Sequence, residues 1–229
     1  MKGNSITHEQ ITLTRRALKT PRAAAIAGIL FAVLFGTSVT LIRLSVPANP
    51  GEGGTWLAAN TGGISLALNL MPFAGIAFLW FIGVVRDRLG RLEDQFFSTV
   101  FFGSGLLFLA MTFASAALAG GILASFSVAP GNLIDSGVYS FGRAVMYQIS
   151  NVYAIRMGGV FMISLATIWV RSQTMPRGLA FLTYALALVL LLSVGLNLWV
   201  TLIFPGWVLV ISLYILISNL RNSPENEEA

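Results

Sequence analysis

G-L-A-F-L-T-Y-A-L-A-L-V-L-L-L-S-V-G-L-N-L-W-V-T-L-I-F-P-G-W-V-L-V-I-S-L-Y-I-L-I-S-N-L, residues 178–220, contains no Asp, Glu, Lys, Arg or His. The tract runs from Arg177 to Arg221, and its 43 residues would extend about 65 Å as one helix. That is about twice the ~30 Å hydrocarbon core of a bilayer. The tract therefore folds back on itself, and N-L-W-V-T-L-I-F-P-G (197–206) holds the turn. Pro205 is tolerable there as an early residue of the last helix, where its missing N–H has no intrahelical partner to lose.

Working outward from this tract, the same rule applies to the whole chain. It is 56% hydrophobic and 10% charged, whereas soluble domains carry about 25% charged residues. Apolar runs of bilayer length place six spans near 23–45, 64–85, 97–122, 145–170, 178–197 and 201–220. The expected fold class is all-α, a polytopic transmembrane helical bundle. A basic segment (1–22) precedes it, and an acidic tail (221–229) too short and polar to fold follows it. The first apolar run is too long and continuous for a cleavable leader, so it reads as a retained span.

Basic residues set the orientation. Lys2, Arg15, Arg16, Lys19 and Arg22 precede the first span, and Arg86, Arg88 and Arg91 follow the second. Arg171, Arg177 and Arg221 fall on the same side, leaving only Arg43, Arg143 and Arg156 toward the other. Both termini are therefore expected in the cytoplasm, with the chain in a bacterial inner membrane. Trp80 and Trp169 fall near the cytoplasmic ends of spans and Trp56, Trp199 and Trp207 near the opposite ends, as headgroup-level anchors do. The outer connections 46–63 and 123–144 are the longest, and a short apolar piece around Trp56 is expected on the membrane surface.

The net charge of +5 does not point to nucleic acid, because the basic residues flank apolar spans. No cysteine is present, and the single His8 lies in the N-terminal segment. Thiolate metal sites, haem ligation within the membrane and a histidine proton relay are excluded. Paired carboxylates, a Ser/His/Asp set and a phosphate-binding glycine loop are missing, so no catalytic residue, cofactor or metal is expected and the chain reads as a non-enzyme.

Ionisable and polar groups inside spans carry the functional expectation. Arg156, in Y-A-I-R-M-G-G (153–159), precedes Arg171 by fifteen residues, about 22 Å along a helix. It then lies some 8 Å below the outer boundary of a ~30 Å core, within snorkelling reach. Glu52 and Asp135 are the acids expected on its side, and a solute or headgroup is the other possible answer to its charge. Gln148 and Asn151 precede it on the same span, but Asn151 and Arg156 lie about 140° apart at helical spacing. Gly158 and Gly159 permit close approach of a neighbouring helix. On the second span, N-L-M-P-F-A-G (69–75) puts Asn69 beside Pro72, where the freed carbonyl of Leu68 predicts a kink. The ligand-binding candidates are Arg156, Arg143, Arg43, Gln148, Asn151 and Asn69. Small-residue ladders at Gly28–Ala32–Gly36 and Thr112–Ala116–Gly120 suit helix packing within the chain or a homo-oligomer.

G-V-V-R-D-R-L-G-R-L, residues 83–92, resembles the G-x-x-x-D-R-x-G-R-[RK] signature of major facilitator transporters, with Leu92 in place of the final basic residue. The resemblance implies a conformational latch built from Gly83, Asp87, Arg88, Gly90 and Arg91 between the second and third spans. The chain departs from that family in having half as many spans and no acid within them. The longer run F-A-G-I-A-F-L-W-F-I-G-V-V-R-D-R-L-G-R-L-E-D-Q-F-F (73–97) is similar to bacterial multi-pass membrane proteins of unassigned function. The functional expectation is a transport-type protein, a channel or small oligomeric carrier for an anionic solute or lipid. The alternative is an accessory membrane protein that packs against a partner complex or itself. Membrane lipids are its expected partners, without nucleic acid.

Overall fold

The computed structural model describes residues 3–47, 56–89, 95–131, 137–173, 175–192 and 198–221, with side chains at 22–47, 56–86, 96–131, 137–173, 175–192 and 199–221. Every element among the described residues is helical. They are α1 (Gly3–Ser45), α2 (Trp56–Leu89), α3 (Gln95–Val128), α4 (Val138–Gln148), a π-helical segment (Ile149–Ala154), α5 (Ile155–Ser172), α6 (Arg177–Leu192), a 3₁₀ segment (Leu198–Leu202) and α7 (Ile203–Arg221). The column Val138–Ser172 runs through α4, the π segment and α5 without a break. Five helical stretches, Arg22–Ser45, Trp56–Arg86, Phe96–Val128, Val138–Ser172 and Trp199–Arg221, are long and apolar enough to cross a membrane; Arg177–Leu192 is a shorter apolar helix.

Both outer connections differ from the sequence expectation. The apolar piece around Trp56 is the first turn of α2, not a separate surface segment. Asn60 Nδ2 donates to the Trp56 carbonyl at 3.0 Å and Thr61 Oγ1 to the Leu57 carbonyl at 2.7 Å. These polar side chains thus satisfy themselves on the carbonyls of their own helix, within a stretch that was expected to be a connection. The second outer connection also shortens, because α3 continues to Val128 and α4 begins at Val138. The last apolar tract does double back, with α6 ending at Leu192 and α7 beginning at Ile203, and Pro205 is the third residue of α7.

Chain neighbours pack antiparallel in series, α1 on α2, α2 on α3, α3 on α4 and α5, and α5 on α6. The α7 helix returns to pack along α1 and meets α5 and α6 mainly through the side chains of Phe204 and Trp207. Lipid tails are as apolar as leucine, so close packing must hold such helices together. At the α1–α7 contact a Cβ on Gly28 would meet Ser212 Oγ at 2.0 Å and the Phe81 ring at 2.9 Å. On α5, a Cβ on Gly159 would meet Leu191 at 3.0 Å and the Ala187 carbonyl oxygen at 3.2 Å. The α1 ladder is therefore used inside the chain at Gly28 and at buried Ala32, while Gly36 faces open space.

The centre of the bundle is aromatic. Phe31, Phe78, Phe161 and Phe204 come from four different helices and are fully buried. Their ring centroids lie 4.6 Å (Phe31–Phe78), 5.5 Å (Phe78–Phe161) and 5.8 Å (Phe161–Phe204) apart. Offset and edge-on ring pairs contribute about 0.5–1.5 kcal/mol each beyond the area they bury. Trp207 extends the cluster and donates its indole N–H to Thr183 Oγ1 at 2.9 Å, which ties α7 to α6. At the far end, Arg86 lies over Phe102 at 4.4 Å and Arg171 over Phe97 at 4.7 Å, so two arginines brace the start of α3.

Candidate functional site

The end of the bundle that carries Arg43 opens into a cavity of about 310 Å³, within the ~300–1,000 Å³ range of small-molecule sites. Its lining comes from α1, α2, α3, α4, the π segment, the first residue of α5, the 3₁₀ turn and the start of α7. Phe35, Phe108 and Phe204 form its floor, with Phe108 and Phe204 at 4.5 Å between centroids. Phe204 belongs to the central aromatic cluster, and its members Phe31 and Phe78 pack against Phe35 and Phe108 at 5.2 and 5.5 Å, so packed rings border the cavity on that side.

Arg43 sits in the last turn of α1, where a cation meets the negative end of the helix dipole. Its Nη2 donates to Asn151 Oδ1 on the π segment. Its Nε is buried and no described group accepts its proton. Arg143, on α4, donates from Nη2 to the carbonyl of Pro47, just beyond α1. Its Nη1 approaches the Tyr139 hydroxyl at 3.4 Å, and the guanidinium lies 5.7 Å from the Trp56 ring. Both arginines therefore fasten the end of α1 to the α4–π column while lining the cavity.

The π segment explains how this column serves the site. Its i→i+5 pattern widens one turn and disturbs the ordinary backbone ladder. Side chains answer the affected carbonyls. Ser150 Oγ and Ser115 Oγ donate to the Met146 carbonyl at 2.8 and 3.2 Å, and Asn151 Nδ2 donates to the Tyr147 carbonyl at 3.2 Å. Polar residues are thus retained here by the backbone they serve as well as by the cavity they line.

Arg43, Arg143, Gln148 and Asn151 all line this cavity. Arg156 and Asn69 are not among its lining residues. Arg156 is partly buried on α5, beyond the π segment, and Asn69 is exposed. Gly158 and Gly159, beside Arg156, pack against the Phe204 ring and α6. Pro72 lies within α2, exposed, and the helix is continuous through it. Ser38 Oγ donates to the nearby Ala67 carbonyl at 2.6 Å. Glu52, Asp135, Gly90 and Arg91 lie outside the described residues, and Asp87 and Arg88 belong to α2 without described side chains.

Tyr147 is a cavity residue that the sequence reading did not single out. Its signal is a spacing of four, Arg143–Tyr147–Asn151, which places three polar residues along one helical stripe. The contribution of α3, through Thr112, Ser115 and Ala116, has no such signal, because ladders of small residues suit packing equally well. No protein family, curated protein or solved structure matches the chain.

Proposed function

We propose that the chain is a six-span inner-membrane protein, with both termini cytoplasmic, that works as a carrier for a small anionic solute or lipid. The observation that supports this most is the cavity, with Arg43 and Arg143 in its wall and the packed rings of Phe35, Phe108 and Phe204 bordering it. An open channel needs a continuous path, and the packed rings under the base oppose one. A carrier needs a site reachable from one side at a time, and a cavity of this kind serves as that site. On the topology read from the basic residues, it faces outward. Guanidinium groups there favour anions over cations. The resemblance of residues 83–92 to a transporter signature points the same way, whereas the accessory reading loses support because Gly28 and Ala32 are used inside the chain.

Proteoliposomes test this reading. Saturable counterflow of radiolabelled organic anions, from lactate to alkanesulfonates, is expected without single-channel conductance in planar bilayers. Arg43→Gln is expected to lower the flux about tenfold or more, the effect of losing one charge-assisted contact. Ohmic anion conductance, or flux indifferent to Arg43→Gln, would refute it.

A further inference from the structure

The cavity has two tiers of opposite chemistry. In the lower tier Val39, Met71 and Ile155 stand above the Phe35–Phe108–Phe204 floor. The hydroxyl protons near them are already committed: Thr112 Oγ1 donates to the Phe108 carbonyl at 2.8 Å, and Ser115 and Ser150 both donate to Met146. A buried water needs about two to four polar partners, and a hydrated solute has similar needs. This tier offers little beyond the unused lone pairs of those hydroxyls, so it suits an apolar body.

The upper tier is cationic. Arg43 keeps a buried Nε–H that no described group accepts, while its Nη2 is held by Asn151. Among residues with described side chains there is no aspartate or glutamate anywhere. A single anionic head placed there would receive a charge-assisted hydrogen bond.

We propose that the cavity takes a single-chain amphiphile, its anionic head at Arg43 and its apolar chain reaching down to the phenylalanine floor. This rests on the carrier reading and names its substrate class. Arg43 and Phe35 are eight residues apart on one helix, about 12 Å. That depth suits a chain of roughly ten carbons.

The test uses the full chain in phosphatidylcholine nanodiscs, with empty nanodiscs as baseline. Decanesulfonate is the central probe, because a sulfonate stays anionic and does not cross lipid as a neutral acid. Methanesulfonate lacks the chain, decanol lacks the charge, and decyltrimethylammonium reverses it. Saturable binding is expected for decanesulfonate, about tenfold or more tighter than for any of the other three and about tenfold weaker in Arg43→Gln. An alkanesulfonate series on the unaltered protein is expected to gain about fourfold per carbon up to roughly ten carbons and then stop gaining. Methanesulfonate or decanol binding as tightly as decanesulfonate would overturn the proposal, and so would a series that keeps gaining to hexadecanesulfonate. Phosphatidylglycerol added to the nanodiscs separates the sources of such a ligand. Unchanged decanesulfonate binding supports a free single-chain amphiphile, and competition overturns it in favour of a bilayer lipid. Counterflow keeps the two readings apart. Binding without counterflow removes the carrier and leaves the ligand class, while counterflow confined to short anions removes the ligand class and leaves the carrier.

Discussion

Gly28 and Gly36 occupy equivalent steps of one small-residue ladder, yet alanine is expected to act oppositely at the two sites. At Gly28 a new Cβ would lie 2.0 Å from Ser212 Oγ and 2.9 Å from the Phe81 ring, well inside normal contact. Overpacking of this kind costs about 1–3 kcal/mol, offset in part by up to ~1 kcal/mol of helix propensity gained on replacing glycine. The expected net destabilisation of Gly28→Ala is about 1–2 kcal/mol. At Gly36 nothing lies within 4 Å of the new atom, so only the propensity gain remains, between neutral and about 1 kcal/mol stabilising. Ser212 sharpens the test, because its hydroxyl is fully buried with no described partner. Removing such a group relieves a desolvation cost of about 1–3 kcal/mol, so Ser212→Ala is expected to be neutral or stabilising. In that background Gly28→Ala loses its worst clash, and the pair is expected to couple by about 1 kcal/mol. Reversible unfolding in mixed micelles, followed by the fluorescence of buried Trp207, measures all four proteins and Gly36→Ala. Strict additivity of Gly28→Ala and Ser212→Ala, or a neutral Gly28→Ala, would refute the packing of α7 on α1.

Two further predictions concern the centre and the α5–α6 contact. Phe204→Ala is expected to cost about 3–5 kcal/mol by leaving a hole among the rings. It is also expected to leave planar bilayers non-conducting, since Phe31, Phe78 and Phe161 still close the bundle beneath it. Gly159→Val is expected to destabilise by at least ~2 kcal/mol, because the Ala187 oxygen 3.2 Å from the first new atom is backbone and cannot move without α6. Thermal unfolding in detergent checks both.

Helix positions were legible because each follows from a local property, the length of an uncharged apolar run. The tract after Arg177 shows this best, since its length alone required the turn that separates α6 from α7. Polar residues misled at the edges, where Asn60 and Thr61 lie inside α2 with their side chains bonded to its own carbonyls. The π segment was not legible: I-S-N-V-Y-A contains no glycine or proline, and its widened turn depends on Ser115 reaching across from α3. The arginines divide similarly. Depth can be counted along one helix and drew attention to Arg156. Membership of a shared cavity depends on which faces of many separate elements meet, and that brings together Arg43 and Arg143.

The order of packing also bears on how the bundle assembles. Each close pairing joins helices adjacent in the chain, except that α7 docks on α1. Hairpins of neighbouring helices close short loops and can form while synthesis continues, whereas α1 must wait for nearly the whole chain before its last partner exists. Phe204 arrives with that partner. Until then the rings of Phe31, Phe78, Phe108 and Phe161 lack their common neighbour, so the base of the cavity is the last part of the protein to be made. A chain that stops after Leu192 would lack Thr201 and Phe204 and leave the cavity without that part of its lining.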